Sequence, residues 1–154
     1  MQVDIVETQQ DDVLVDFYRN HWLDMGISEH DIAGDWRTTA LDFITQARLN
    51  HSFAGFLALS DDNRLGGACC HTVDRVFPAF RQTDAVVLGY IWGVYVLPSA
   101  RGTGIGTALV KQCIRHLKAR GCGRILLHAG QQARPIYDRL GFTPTDELAL
   151  SIND

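Results

Sequence analysis

Hydrophobic positions along the chain fall into two periods, and the switches between them mark its elements. Val3 to Val6 alternates apolar with acidic residues and reads as a short strand. Asp11 or Asp12 stands ahead of Val13, Leu14, Phe17 and Tyr18 at helical spacing, which predicts a capped helix ending near Met25-Gly26. Trp36, Ala40, Phe43, Ile44 and Ala47 recur every three or four positions and predict a second helix from Asp35 to Leu49. Phe53 to Leu59 and Leu65 to Val73 read as hairpin strands around an Asp61-Asp62-Asn63 turn. Residues 75–85 contain a proline, lack a period, and read as a loop. Val86 to Val96 is almost wholly apolar, the pattern of a buried central strand, and Gly93 within it marks a bulge or a close approach to the backbone. Pro98-Ser99-Ala100 ends that strand. A helix follows from about Thr103 to Ala119, with Ile105, Ala108, Leu109, Cys113 and Leu117 on its apolar side and Gly121 as its stop. Arg124 to His128 reads as a strand, Ala133 to Leu140 as a short helix with Pro135 in its first turn, and Leu148 to Ile152 as a last strand. The order β-α-α-β-β-β-α-β-α-β predicts an α/β (α+β) fold, a mixed sheet with helices on its faces.

At 154 residues, without repeats or a linker-like stretch, the chain reads as a single domain over 1–154. Its longest near-apolar run, Val86 to Pro98, falls short of the roughly 18 residues of a membrane span, and residues 1–10 carry no basic-then-apolar signal pattern. The expectation is a cytoplasmic protein without membrane contact. Cys69, Cys70, Cys113 and Cys122 form no C-x-x-C pair, and adjacent Cys69 and Cys70 would face opposite sides of a strand, so buried thiols are expected rather than a disulfide or a metal site. Net charge is −4, but its distribution is more telling. Residues 1–84 hold fourteen acids and six bases, whereas residues 85–137 hold no acid and seven bases, Arg101, Lys111, Arg115, Lys118, Arg120, Arg124 and Arg134. That block suits a bound anion. The acidic remainder argues against a nucleic-acid footprint.

The stretch Val94-Tyr95-Val96-Leu97-Pro98-Ser99-Ala100-Arg101-Gly102-Thr103-Gly104-Ile105-Gly106-Thr107 joins the buried strand to an amphipathic helix through alternate glycines. Unbonded N–H groups at a helix start, together with the helix dipole, attract anions, and Arg101 adds a charged donor. The spacing is G-x-G-x-G, which fails the dinucleotide fingerprint G-x-G-x-x-G, and no G-K-[ST] follows to make a P-loop.

R-G-T-G-I-G resembles the R/Q-x-x-G-x-G/A signature of the GNAT superfamily of acyl-CoA-dependent N-acyltransferases. Downstream, His128-Ala129-Gly130 and Arg134-Pro135-Ile136-Tyr137-Asp138-Arg139-Leu140-Gly141-Phe142 resemble the family's second signature, a short helix with a central tyrosine closing in L-G-F. Pro144-Thr145-Asp146-Glu147-Leu148 is similar to a bacterial P-T-N-E-M ending. The resemblance is specific over about residues 88–150 and weaker before them. It implies a mainly antiparallel central sheet, acetyl-CoA as co-substrate, no metal, and a homodimer as one assembly found among relatives.

By the same resemblance, the backbone of Val94, Tyr95 and Val96 would pair with the pantetheine arm. Arg101, Gly102, Thr103, Gly104, Ile105, Gly106 and Thr107 would hold the diphosphate. Tyr137 would protonate the leaving thiolate, and an N–H of the strand, that of Val96, would face the oxyanion. The reaction implied is attack of a small-molecule or peptide-like primary amine on the thioester in a ternary complex. Many relatives place a glutamate base four residues before the position of Val96, where this chain has Trp92; His71, Tyr90, His128, Glu147 or a water chain are the remaining candidates. The acceptor is expected between the N-terminal helices and the sheet, among Trp22, Trp36, Phe53, Phe77 and Phe80 with Asp16, Asp24, Asp35 and Asp84. Two other readings remain: a catalytically degenerate acyl-CoA-binding sensor or regulatory module, and an unrelated phosphate-binding domain.

Overall fold

The computed structural model describes residues 2–74, 77–78 and 87–153. Its elements are β1 (Asp4–Thr8), α1 (Asp11–Asp24), α2 (Trp36–Leu49), β2 (Phe53–Ser60), β3 (Asn63–Val73), β4 (Leu88–Val96), α3 (Ile105–Ala119), β5 (Arg124–Leu127) and α4 (Arg134–Arg139), with 3₁₀ turns at Glu29–Asp31 and Pro98–Ala100. The five strands form one sheet in sequence order. β1 to β4 pair antiparallel, and β5 returns parallel to β4 through α3.

Strand alternation divides the core into two layers. In β2, Phe53 and Leu57 point toward α1 and α2, where they meet Leu14, Val15, Phe17 and Ile44. Ala54, Phe56 and Ala58 point the other way, toward Ile105, Leu109, Val110, Cys113 and Leu117 of α3. Each large side chain buried this way contributes about 1.5–3 kcal/mol. Adjacent Cys69 and Cys70 fall into opposite layers, as expected of strand neighbours. Arg48 of α2 clamps the start of α1, bonding the Asp11 carboxylate at 2.6 and 3.0 Å and the Thr8 carbonyl at 3.0 Å.

The central strand is irregular where it matters for the site. Gly67 lies opposite Tyr95 but Cys69 lies opposite Trp92, so β4 carries an extra residue at Gly93–Val94. Gly93 has φ +64°, a value that favours glycine, and the bulge expected there is present. β5 pairs only with Leu88 to Ile91, so the strands part at the bulge and Trp92–Val96 lack a partner on that side among the described residues.

One element departs from expectation. Leu148 to Ile152 forms no strand, and Leu148, Leu150 and Ile152 are 96%, 84% and 80% exposed. Their period of two satisfies the pattern, but a strand also needs a neighbour to take its backbone hydrogen bonds, and no described strand pairs with this segment. Other boundaries shift slightly: β4 begins at Leu88, α3 at Ile105 and α4 at Arg134. Most of the expected 75–85 loop, residues 75, 76 and 79–85, lies outside the described residues.

Candidate active site

The parted strands open a slot whose edge is the backbone of β4. Leu97 donates to the Leu65 carbonyl at 2.8 Å, so alternation turns the N–H of Val96, and likewise that of Val94, away from β3 and toward the slot. Tyr95 lies between them with its backbone on the β3 side. Its ring is buried, stacks on Phe17 at 5.6 Å, and lies under the Arg101 guanidinium at 5.3 Å. The Val96 carbonyl is held by Arg101 Nε at 2.9 Å.

Beyond β4 the chain turns through Pro98–Ala100 into the glycine stretch. Gly102 and Gly104 have φ +78° and +86°, and a Cβ at either would meet nothing within 4 Å. These glycines are therefore required by backbone shape, and the space above them is open. Thr103 Oγ1 donates to the Ala100 carbonyl at 2.8 Å and tightens the turn. The first intrahelical bond of α3 is Ala108 N–H to the Gly104 carbonyl. Among the described residues, the N–H groups from Gly102 through Thr107 have no acceptor. Six open donors thus meet the positive end of α3, whose first turn has no acid. Arg101, which opens the turn, is bonded to Asp24 Oδ2 of α1 at 2.5 Å, with both side chains about half exposed.

Tyr137 of α4 is buried, packs its ring edge against Phe142 at 5.8 Å, and lines a cavity together with Val94, Leu127 and His128. Burial, and then the Cys113 thiol, push its phenol above the ordinary tyrosine value. The hydroxyl therefore stays protonated at neutral pH and can act as a proton donor.

The cavity measures about 920 Å³ and lies between α1, α2 and the same face of β3 and β4. His71, Tyr90 and Trp92 share that face, since His71 pairs with Tyr90 in register and Cys69 with Trp92. Trp92 Nε1 donates to His71 Nδ1 at 3.0 Å. An indole N–H only donates, so neutral His71 carries its proton on Nε2 and presents a donor to the cavity. Burial lowers its pKa. Tyr90 Oη shares a hydrogen bond with His128 Nδ1. Burial raises the Tyr90 pKa, followed by the Glu147 carboxylate and Tyr18.

Of the aromatic residues expected around the acceptor, Trp22 and Trp36 line the cavity. Phe53 is buried between layers, Phe77 is 73% exposed, and Phe80 lies outside the described residues, as does Asp84. Asp16 is paired with Arg37 and Asp24 with Arg101, while Asp35 precedes α2 without a side-chain cap bond. Sequence reasoning placed Tyr18 and Phe43 on helix faces but did not assign them to the site. Phe43 is 50% exposed, and half-exposure of so large a ring is the signal that separates wall from core. No group of three metal-ligating side chains occurs among the described residues, and none of their helices is long and apolar enough to cross a membrane.

Comparison with known proteins agrees with this geometry. The profile of the Acetyltransferase (GNAT) family matches residues 14–142. Glucosamine 6-phosphate N-acetyltransferase of Trypanosoma brucei brucei is 36% identical over 65 residues, 42% of this chain and 44% of that protein. Mycothiol acetyltransferase of Frankia casuarinae is 32% identical over 123 residues, 75% of this chain and 34% of that protein. The chain thus spans less than half the length of either curated relative. A protein of Clostridium acetobutylicum described as a predicted acetyltransferase, solved with acetyl-CoA, superposes with TM-score 0.85 at 25% identity, covering 99% of this chain and 96% of its own. A GCN5-related N-acetyltransferase of Ralstonia eutropha gives TM-score 0.86 at 22% identity, with 98% and 99% covered. With the family profile matched over residues 14–142, most of its length, the chain belongs to the GNAT acetyltransferase family.

Proposed function

We propose that this chain transfers the acetyl group of acetyl-CoA to a primary amine of a small-molecule or peptide-like acceptor by direct attack in a ternary complex. The observation that carries the reading is the bare β4 edge running into six unbonded N–H groups at the start of α3. The Val94 and Val96 backbone extends along the pantetheine arm, and the turn from Arg101 to Thr107 cradles the diphosphate. Both reactants held at one slot make the step effectively intramolecular. The Val96 N–H faces the thioester oxygen as negative charge gathers there.

Two protons move. Tyr137 donates to the departing thiolate. On the acceptor side a neutral amine attacks, and Tyr90 Oη takes the proton of the positively charged nitrogen so formed while passing its own to His128 Nδ1, a relay that their shared hydrogen bond makes available. His71 is excluded as a neutral base because Trp92 occupies its Nδ1.

Calorimetry with acetyl-CoA, followed by release of free thiol in the presence of an amine panel, tests the proposal. Binding with turnover supports it. Binding without turnover against any amine gives the second reading, a regulatory module, which Trp92 at the usual base position favours. Absence of binding by folded protein overturns both.

A further inference from the structure

The wall that α1 and α2 present to the cavity is larger and more aromatic than an amine nitrogen requires. Tyr18 meets Trp92 edge-on at 4.9 Å and Trp22 at 5.9 Å, and Phe43 closes on Trp92 at 5.7 Å. Trp36 continues this wall from α2, flanked by the Arg19 guanidinium at 5.5 Å. Phe43, Met25 and Trp22 are 50%, 49% and 39% exposed, and all three open onto this one cavity. Large apolar side chains gathered half-open around one hollow mark a surface that gains by being covered.

We infer that the acceptor is an amine carried on an aromatic or comparably bulky apolar body, which lies against Trp36, Phe43 and Trp92 while the nitrogen reaches Tyr90 and Tyr137. The inference rests on the acetyltransferase reading above and narrows it to one acceptor class. The charges around the cavity support it. Arg19 is the one arginine among the described lining residues, none of which is a lysine, and Glu29 already holds it at 2.7 Å. Among the described lining residues a phosphorylated aminosugar would therefore find no unpaired arginine or lysine for its phosphate.

The test uses the full chain, acetyl-CoA and a thiol-release assay with three amines: 2-phenylethylamine, glucosamine 6-phosphate and ethanolamine. The expected result is a kcat/KM for phenylethylamine about thirtyfold or more above either of the others, the scale on which apolar pockets discriminate. Phe43→Ala, a change at a half-exposed position, should raise the phenylethylamine KM with little change in kcat, Phe43→Leu should restore most of it, and acetyl-CoA affinity should stay constant. Faster turnover of glucosamine 6-phosphate or ethanolamine overturns the acceptor class and leaves the acetyltransferase reading standing. Acetyl-CoA binding with no turnover of phenylethylamine also overturns it. Failure to bind acetyl-CoA removes the reading beneath it.

Discussion

Replacing Gly104 with alanine separates the anion cradle from ordinary helix stability. Gly104 sits at φ +86° and ψ +7° immediately before α3. An alanine there must hold a left-handed conformation, at a cost of about 1–2 kcal/mol, and its Cβ meets nothing within 4 Å, so no packing penalty adds to the strain. Gly121, at the other end of α3, has φ +87° and the same empty surroundings. Gly121→Ala is therefore a matched control that carries the strain without touching the turn. Both variants should melt about 2–8 °C below the parent. Only Gly104→Ala should lose coenzyme A affinity. If relief of the strain turns one N–H away from the diphosphate, a charge-assisted bond of about 1.5–3 kcal/mol is lost, which weakens Kd by about ten- to hundredfold. Calorimetry with coenzyme A at fixed ionic strength reads the difference. Equal affinity in the two variants would refute the cradle, because the cost common to both would then be the whole effect.

Three further outcomes follow from the site. Tyr137→Phe should lower kcat by about a hundredfold, the lower end of general-acid effects because a thiolate leaves readily, while calorimetry finds the acetyl-CoA Kd unchanged; an unaltered kcat would remove Tyr137 from the chemistry. Asp24→Asn frees Arg101 from a half-exposed pair worth under about 1 kcal/mol, so coenzyme A should bind up to about fivefold tighter at low salt and the gain should fade as salt is added; weaker binding would mean the pair orients Arg101 rather than competing for it. His71, kept neutral by burial, binds fewer protons folded than unfolded, so its contribution to stability is present above the unfolded value of about 6.5 and is lost as pH falls through that value toward its lowered folded one. Urea midpoints should therefore drop less between pH 7.5 and 5 in His71→Gln than in the parent, and an identical drop would contradict this assignment.

The parts of the site legible in the sequence are those fixed by local backbone chemistry. Gly102 and Gly104 announce a turn that only glycine makes cheaply, Gly93 announces the bulge, and the helix that follows shows its apolar stripe without reference to the rest of the chain. What escaped is tertiary. Phe43 and Ile44 are neighbours in one apolar run, yet Ile44 is fully buried and Phe43 half-exposed, and only the placement of α2 over the sheet distinguishes them. The bond from Trp92 to His71 depends on the register of β3 against a bulged β4, which no spacing encodes. Leu148 to Ile152 failed for a related reason: alternation specifies a face but supplies no adjoining strand.

The buried cysteines carry a practical consequence. Cys69, Cys70, Cys113 and Cys122 are all reduced and enclosed, and burial pushes the thiols of Cys69 and Cys122 up, while a hydrogen bond with the Cys70 thiol and then burial do the same for Cys113. A colorimetric reagent that consumes accessible sulfur should thus register coenzyme A as it is released and ignore the folded polypeptide. Denaturation reverses the situation: all four sulfurs become available together, giving an internal count of how many molecules have opened without any added label.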